Sequence, residues 1–439
     1  MTLLDGRRRR HRLGAALTVL TLLCVAACDA AESDEATDAP VTIRFASYNY
    51  GTPDLGGQGV QELIDLFEKE HPNITIKPEG GTSKELYTRV QAQAAAGDPP
   101  DIAQIGWSKL ASAADNLPIV PIDDLASADE VKTVTSQLLP GAIEAGNVDD
   151  KLVAMPFAMS TPTLFVNAKL FRAAGLDPAK PPQTWEEVKA AALTIRSKTQ
   201  QQGVYLSAAN AAKSDFLTQS LINSNGGALL SESGDVQLDS PQAVGALSML
   251  GDLTASGAQP AIADDDAISL FKAGKLGMYV TSTALMASFT KAADGSFELR
   301  TAGLPRFGDQ PARPTYSGAG LVVLSKDKAE QAAAWEFLTF LTSRIAFGII
   351  TEKIGYLPLR TDSAADPALA KRLAQQPSIQ PAMTQLADVT PYQSMPGRRS
   401  DQARQILQDS AVAPIMLDRA DPPSTLAKVD QRITELLAS

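Results

Sequence analysis

The sequence predicts an α/β fold in which helices flank open, largely parallel β-sheets. The first observation is that strand-like segments alternate with amphipathic segments at short spacing, a pattern that favours right-handed crossovers between parallel strands. The second is the length of 439 residues, which is enough for two domains and a large core. Hydrophobic residues make up 44% of the chain, so it is predicted to be globular rather than disordered.

The first part of the folded chain shows the alternation most clearly. Val41–Ala46 alternates apolar and polar residues, which predicts the first strand. The elements predicted after it are a helix at 60–69, a strand at 73–77, a helix at 83–96 and a strand at 101–105.

The stretch 155–177 changes character twice and is the centre of the predicted organisation. Ser160 and other small hydroxyl residues surround Pro162, residues 164–166 predict a buried strand, and Asn167 is a good N-cap for the helix that follows. A strand that carries polar residues between two proline-bearing turns suits a crossing between two lobes. An ordinary buried strand with a polar edge is the alternative, and these residues alone do not decide between the two.

The rest of the chain continues with helices and short strands. Thr184 to Glu187 matches a capping box and predicts the start of a helix. Asp264, Asp265 and Asp266 lack the glycine and glutamate of a calcium loop, and acids that open a helix explain them better. Further predicted helices lie at 185–197, 215–223, 241–255, 267–273 and 329–341, and further predicted strands at 277–280, 299–304 and 321–324.

The N-terminus has the features of an export signal. Residues 7–12 are basic, and residues 13–27 are apolar but too short for a comfortable transmembrane helix. Because small residues precede Cys28, residues 1–27 are predicted to be a lipoprotein signal peptide, and Cys28 the lipidated N-terminus. A signal peptide without lipidation is the alternative, and the choice between the Sec and twin-arginine routes stays open. Residues 28–40 are acidic and predict a flexible tether.

The residue types argue against most catalytic chemistries. The net charge of −11 argues against nucleic acid or an anionic membrane as the main partner. With only His11 and His71, the chain has little material for a Ser-His-Asp triad or a histidine-rich metal site, and no cofactor or metal is predicted. A glycosidase with paired carboxylates is an alternative. Trp107 follows a predicted strand at the end where ligands bind in open α/β sheets, and a core position is its alternative.

Several motifs, taken in order, resemble the extracellular solute-binding proteins of ABC importers for sugars. These motifs cover nearly the whole chain after the signal and lie at 98–102, 156–167, 176–178, 184–187, 225–227, 271–275 and 355–358. The resemblance implies a two-lobed periplasmic-binding-protein fold of the class II type, with the ligand cleft between lobes that close by hinge motion. The lobes are expected at 41–157 with 301–350 and at 158–300 with 351–439. The crossovers are expected near 156–160, 299–302 and 350–356.

Two of the motifs look most similar to binders of glycerol 3-phosphate and glycerophosphodiesters. That resemblance implies ligand contacts from Ser160, Ser282, Gly318, Tyr356 and Arg398, with Arg399 one position away. Ser83 stands where those binders carry a tyrosine, and Trp107 where they carry an acid. A tryptophan suits stacking on a sugar ring, so a neutral oligosaccharide is the alternative to a phosphorylated ligand.

The resemblance therefore implies a binding protein and not an enzyme. The expected protein is a monomer outside the cytoplasm, anchored to the cell membrane through Cys28. It captures a sugar or glycerophosphodiester and delivers it to ABC permease subunits, without binding nucleic acid. The alternatives are a secreted glycoside-processing enzyme and a surface lipoprotein without a transport role.

Overall fold

A computed structural model describes residues 39–51, 57–209, 215–363 and 365–438. The predicted signal peptide, Cys28 and all but the last two residues of the predicted tether lie outside these ranges. The contacts of the chain divide it into Met1–Ala39 and Pro40–Ser439, and the fold described below belongs to the second unit.

The strands and helices follow the alternation expected from the sequence. Within the described ranges the strands are β1 (Val41–Ala46), β2 (Ile74–Glu79), β3 (Ile102–Gly106), β4 (Asn147–Val148), β5 (Lys151–Leu152), β6 (Met155–Ser160), β7 (Pro162–Asn167), β8 (Gln202–Leu206), β9 (Leu276–Ser282), β10 (Leu299–Ala302) and β11 (Ser317–Val323).

The α-helices of the same ranges are α1 (Gly57–Glu70), α2 (Ser83–Ala95), α3 (Trp107–Asn116), α4 (Ala128–Thr135), α5 (Pro140–Ala145), α6 (Ala168–Ala173), α7 (Trp185–Thr199), α8 (Asp215–Ser224), α9 (Pro241–Ala255), α10 (Asp264–Lys272), α11 (Met286–Ala293), α12 (Lys328–Leu341), α13 (Arg344–Ile349), α14 (Pro367–Gln375), α15 (Gln380–Gln385), α16 (Ser400–Leu407), α17 (Ala413–Leu417) and α18 (Pro422–Ala438). The capping box of α7 is confirmed, because the Thr184 hydroxyl accepts from the Glu187 backbone and the Glu187 carboxylate accepts from the Thr184 backbone. Asn167 caps α6 as predicted.

The first sheet has the strand order β2-β1-β3-β11-β6. β1 runs parallel to both β2 and β3, as the alternation of strands and helices predicts. β11 runs antiparallel to β3 and β6, so this sheet is mixed.

The second sheet has the strand order β10-β7-β9-β8. β8 and β9 are parallel, whereas β7 runs antiparallel to both β9 and β10. The expectation of a mainly parallel sheet is therefore wrong here. The reason is that β7 comes directly from the first sheet and lies between β9 and β10 against their direction, without a crossover helix before it.

The stretch 155–167 crosses between the two sheets. β6 pairs with β11 in the first sheet, and β7 pairs with β9 in the second, with Thr161 alone between them. All residues of both strands are buried. Of the two interpretations of this stretch, the crossing is confirmed, and it places Ser160 at the junction of the sheets.

Each sheet packs on its own apolar core. The first core takes its side chains mainly from 43–159 and 316–359, and the second from 164–304 and 395–433. We call each sheet with its core the first and the second lobe. Because β10 pairs with β7, the chain re-enters the first sheet at Ser317 and not near 299–302 as expected. The numerical lobe boundaries stay predictions.

Among the described residues, no single helix has the length and apolar composition needed to cross a membrane. α12 meets that requirement only when it is counted together with Arg344–Ile354, from which it is bent by 56°.

Candidate ligand-binding cleft

A cavity with about 1090 Å³ of empty space, part of it open to solvent, lies where strands of both sheets end. Trp107 directly follows β3, Ser160 ends β6, and Ser207 directly follows β8. The carboxyl ends of strands in open α/β sheets are where ligands bind, because backbone groups and loop side chains converge there. This arrangement makes the cavity the candidate ligand site.

Both lobes contribute residues that are predicted from the sequence to contact the ligand. The predicted residues that line the cavity are Ser83, Trp107, Ser160, Ser282, Gly318 and Tyr356. Ser83 lies there because Thr82 caps α2 and places the first helical residue at the cavity wall. Tyr356 follows Gly355, whose φ of 92° lets the chain turn sharply after the helical segment Ile350–Ile354.

Gly318 forms part of the wall with its backbone. Its φ is 128°, and a Cβ atom there would lie 2.0 Å from the carbonyl oxygen of Ala158. Only a glycine permits this approach of β11 to β6. The role of Gly318 is thus to let two strands of the first sheet meet at the wall of the cleft.

Trp107 lines the cavity but belongs largely to the core. It is 4% exposed, and its indole Nε1 donates a 3.1 Å hydrogen bond to the carbonyl oxygen of Ala158. Its ring meets the Tyr316 ring edge to face, with a centroid distance of 6.4 Å and an interplanar angle of 82°. Trp107 therefore packs in the core and also lines the cavity, and its contact with a solute stays a prediction.

Of the tyrosines that line the cavity, only Tyr356 was predicted from the sequence. Of the eight tyrosines in the chain, those that line the cavity are Tyr48, Tyr87, Tyr316, Tyr356 and Tyr392. Burial raises the pKa of Tyr316 to about 12, so its hydroxyl stays protonated and can donate. The position of Tyr48 two residues after β1 is a signal that could have been used, because Trp107 also lies near the carboxyl end of its strand, directly after β3.

A buried hydrogen-bond network holds Tyr356 at the cavity. The Gln104 amide donates to the Asn49 side-chain oxygen at 2.6 Å, and the Asn49 amide lies 3.5 Å from the Tyr356 hydroxyl. The Ser47 hydroxyl donates to the side-chain oxygen of Gln104 at 2.7 Å. Such a network holds polar side chains in one geometry inside the first lobe.

The described residues that line the cavity carry charge at Lys109, Asp215 and Asp264. Lys109 comes from the first lobe, is buried, and has its ammonium nitrogen 4.8 Å from the centroid of the Tyr87 ring. Asp264 opens α10, as expected, and one of its oxygens also accepts from the hydroxyls of Tyr279 at 2.7 Å and Ser207 at 2.6 Å.

Asp215 belongs to a buried network at the second-lobe wall. It accepts a hydrogen bond from the Tyr392 hydroxyl, and Arg404 Nη1 lies 3.8 Å from its other oxygen. Arg404 also pairs with Asp401 at 2.6 Å. Burial and the negative charge of Asp215 raise the pKa of Tyr392.

Arg398, which the resemblance places in the site, lies outside the described lining of the cavity, so its contact with a ligand stays a prediction. Arg398 does not line the cavity and is exposed, and Arg399 is also exposed and donates to the carbonyl oxygen of Leu436 at 3.2 Å. Both residues precede α16, whose inward face begins at Ser400 and continues with Ala403, Arg404 and Leu407. Helical periodicity thus buries Arg404, which lies five positions after Arg399 and six after Arg398.

Comparisons with known proteins agree with this architecture. Residues 51–346 match the family model described as bacterial extracellular solute-binding protein. The sn-glycerol-3-phosphate-binding periplasmic protein UgpB of Escherichia coli (strain K12) is 24% identical over 401 residues, which cover 87% of this chain and 90% of the relative.

Two solved structures show a similar fold. The cyclic alpha-maltosyl-1,6-maltose binding protein from Arthrobacter globiformis has a TM-score of 0.75 and 22% identity, over 91% of this chain and 99% of the other. UgpB from Mycobacterium tuberculosis, solved in complex with glycerophosphocholine, has a TM-score of 0.79 and 22% identity, over 90% of this chain and 98% of the other. Because the family model matches more than half of the sequence, this chain belongs to the bacterial extracellular solute-binding proteins, which bind solutes and are not enzymes.

Proposed function

We propose that this protein is the lipid-anchored solute-binding component of an ABC importer, working outside the cytoplasm. It would capture a sugar or a glycerol-phosphate-type solute between its lobes and deliver it to the permease. The family match and the names of the relatives support this proposal. The anchor would be Cys28, and the protein would act as a monomer.

The observation that carries the proposal is a cavity lined by hydroxyl and aromatic side chains from both lobes. Ser160 ends a strand of the first sheet and Ser282 ends a strand of the second, and both line the same space. A solute that contacts both lobes stabilises the closed arrangement, because its binding free energy is realised in full only there. Aromatic walls with a few polar groups are typical of small-molecule sites.

The charges favour a solute without a phosphate monoester. Lys109 contributes one positive charge to the described lining, and Asp215 and Asp264 contribute two negative charges. A phosphate monoester carries nearly two negative charges at neutral pH and would meet a lining that is itself negative. Since Arg398 faces solvent, a neutral sugar is the solute that the geometry supports best. A glycerophosphodiester, with one negative charge that Lys109 could pair, is the second candidate.

The proposal is tested by a thermal-shift screen of the full chain over sugars, polyols and glycerophosphodiesters, followed by calorimetry. A true solute present at 100 times its Kd should stabilise the fold by about 2.7 kcal/mol. The solute should be recovered unchanged after incubation. Recovery of a cleaved product would support the glycoside-processing alternative, and no stabilisation by any compound class would contradict the proposal.

A further inference from the structure

A second cavity lies at the far end of α8 from the cleft. Asp215, at the start of α8, lines the cleft, whereas Asn223, near its end, lines the second cavity. The rise from Asp215 to Asn223, eight residue steps, corresponds to about 12 Å along the helix axis. This second cavity contains about 690 Å³ of empty space, part of it open to solvent, and its walls include Gln310, Arg313 and Gln393.

The walls of this cavity are held in place by hydrogen bonds between distant segments. The Ser224 hydroxyl at the end of α8 accepts from the Arg313 backbone N–H at 2.9 Å. The Gln393 side-chain oxygen accepts from the Leu229 backbone N–H, also at 2.9 Å. The chain segments that carry Arg313 and Gln393 are thus each fixed to the α8 region before any ligand arrives. A site that is already formed loses little conformational entropy on binding.

The turn after α8 leaves the cavity open. Gly226 has a φ of 77°, and a Cβ atom there would lie 3.0 Å from the side-chain oxygen of Gln310. Gly227 donates its N–H to the Ile222 carbonyl oxygen at 2.9 Å, and this bond satisfies one of the last carbonyls of the helix. The two glycines therefore keep backbone, and no side chain, between the helix end and the loop that carries Gln310.

Asn223 supplies a donor that the protein itself does not use. It is 5% exposed, and its amide nitrogen has no hydrogen-bond partner among the described residues. A buried donor without a partner costs free energy, so an acceptor is expected opposite it. Asn223 is among the residues that line the cavity, which is where a ligand would supply that acceptor.

The charge of the lining favours an acceptor that is negative. Arg313 is the charged residue of the described lining, whose other members, uncharged, are Asn223, Gly226, Gly227, Ala228, Gln310, Pro311, Thr390 and Gln393. The C-terminal end of α8 opposes an anion with about half a negative charge, which falls off within the last turn. The full positive charge of Arg313 exceeds this term, in a chain whose net charge is −11.

We propose that this cavity is a second binding site that takes a small free oxyanion, either phosphate or a carboxylate. The Asn223 amide and the Arg313 guanidinium donate to its oxygens. The site is separate from the solute cleft, and it does not depend on the function proposed above.

Calorimetry on the full chain at low ionic strength tests this site, with inorganic phosphate and acetate titrated separately and sodium chloride as the ionic-strength control. Arg313→Gln removes the charge at an exposed position, and Asn223→Asp replaces the donor by an acceptor of the same size. Each variant should weaken binding of the preferred anion at least tenfold. Arg306→Gln is the matched control, because Arg306 is exposed in the same loop but does not line the cavity.

Lys109→Met reports on anion binding in the solute cleft and should leave the affinity of the second site unchanged. Three results would overturn the proposal. The first is the absence of saturable binding of either anion to the wild type. The second is binding that Arg313→Gln leaves intact. Because Arg313 is exposed, this variant is expected to fold like the wild type. The third is binding that Lys109→Met abolishes.

Discussion

The hydroxyl of Ser282 donates a 2.8 Å hydrogen bond to the hydroxyl of Ser160. Ser160 ends β6 in the first sheet and Ser282 ends β9 in the second, so this bond joins the two lobes at the lining of the cleft. Ser282 also accepts from the Ala284 backbone N–H at 3.0 Å, which fixes its side chain. The pair therefore presents an oriented hydroxyl group at the cleft, where we expect a solute to contact both lobes.

Replacing these serines should weaken solute binding. Ser160→Ala and Ser282→Ala should each cost about 0.5–1.5 kcal/mol of binding free energy, the range for a neutral hydrogen bond. The double variant should cost less than the sum, because the two hydroxyls bond to each other. Calorimetry with the solute found by screening measures this, with exposed Ser256→Ala as the control. Unchanged affinity in the double variant would remove both serines from the site.

Trp107 should matter more than Arg398 for solute affinity. Trp107→Ala should cost about 2–4 kcal/mol of binding free energy, as buried aromatic contacts do. Arg398→Ala should stay within about 0.5 kcal/mol, because this side chain faces solvent. Since Trp107 also packs in the core, Trp107→Phe, which keeps a ring there, should cost less than Trp107→Ala. A loss of 2 kcal/mol or more in Arg398→Ala would instead indicate an anionic solute that this arginine reaches.

The buried pair of Asp215 and Arg404 should be needed for stability. Arg404→Met leaves a carboxylate that is 4% exposed without its guanidinium, which should lower the free energy of unfolding by about 3–5 kcal/mol. Adding Asp215→Asn should restore part of this loss, because the uncompensated charge is removed. Urea unfolding measures both effects, and exposed Arg399→Met is the matched control. Equal losses in Arg404→Met and Arg399→Met would show that the pair contributes nothing special.

Asp101 should make the stability of the first lobe depend on pH. Burial raises the pKa of Asp101 to about 6, with a further contribution from the nearby Glu330 carboxylate, although the Arg44 backbone N–H opposes the shift through a 2.7 Å bond. An aspartate in the unfolded chain titrates near pH 3.9, to a first approximation. The folded protein thus holds this proton more tightly, and the resulting stabilisation is lost as pH rises from about 4 to about 6.

Asp101→Asn removes this dependence and should therefore gain stability relative to the wild type as pH rises through the same window. The expected relative gain between pH 4 and pH 7 is on the order of 2 kcal/mol in the free energy of unfolding. Urea unfolding at both pH values measures it, with exposed Asp115→Asn as the control. A stability difference between Asp101→Asn and the wild type that does not change with pH would contradict the raised pKa.

The proposed anchor depends on one of the two cysteines of the chain, both of which lie outside the described residues. Cys28→Ser should release the protein from the membrane fraction or leave its precursor unprocessed, whereas Cys24→Ser should not. Stable retention requires more than one acyl chain, because a single chain binds membranes only weakly. Membrane fractionation and mass spectrometry of the N-terminal peptide check this. A wild type without lipid that fractionates like Cys28→Ser would disprove the anchor.

Local sequence determined several helices and the residues at which they start. The capping box of Thr184 and Glu187, the N-cap Asn167 and the acids before Ala267 mark helix starts that the structure contains. These features act through hydrogen bonds and charges within one helical turn, so neighbouring residues suffice to predict them. The α/β class followed for the same reason, because the periodicity of each segment is local.

Only the tertiary structure decided which side chains meet in the cleft. Arg398 and Arg404 are six positions apart, and the start of α16 leaves one in solvent and buries the other beside Asp215. The indole N–H of Trp107 donates to the carbonyl oxygen of Ala158, which lies in a strand about fifty residues later in the chain. The direction of β7 was likewise set by the neighbours between which it lies. Such pairings depend on how distant segments pack. The free energy of that packing cannot be derived from any short stretch of the chain, because it depends on many segments at once.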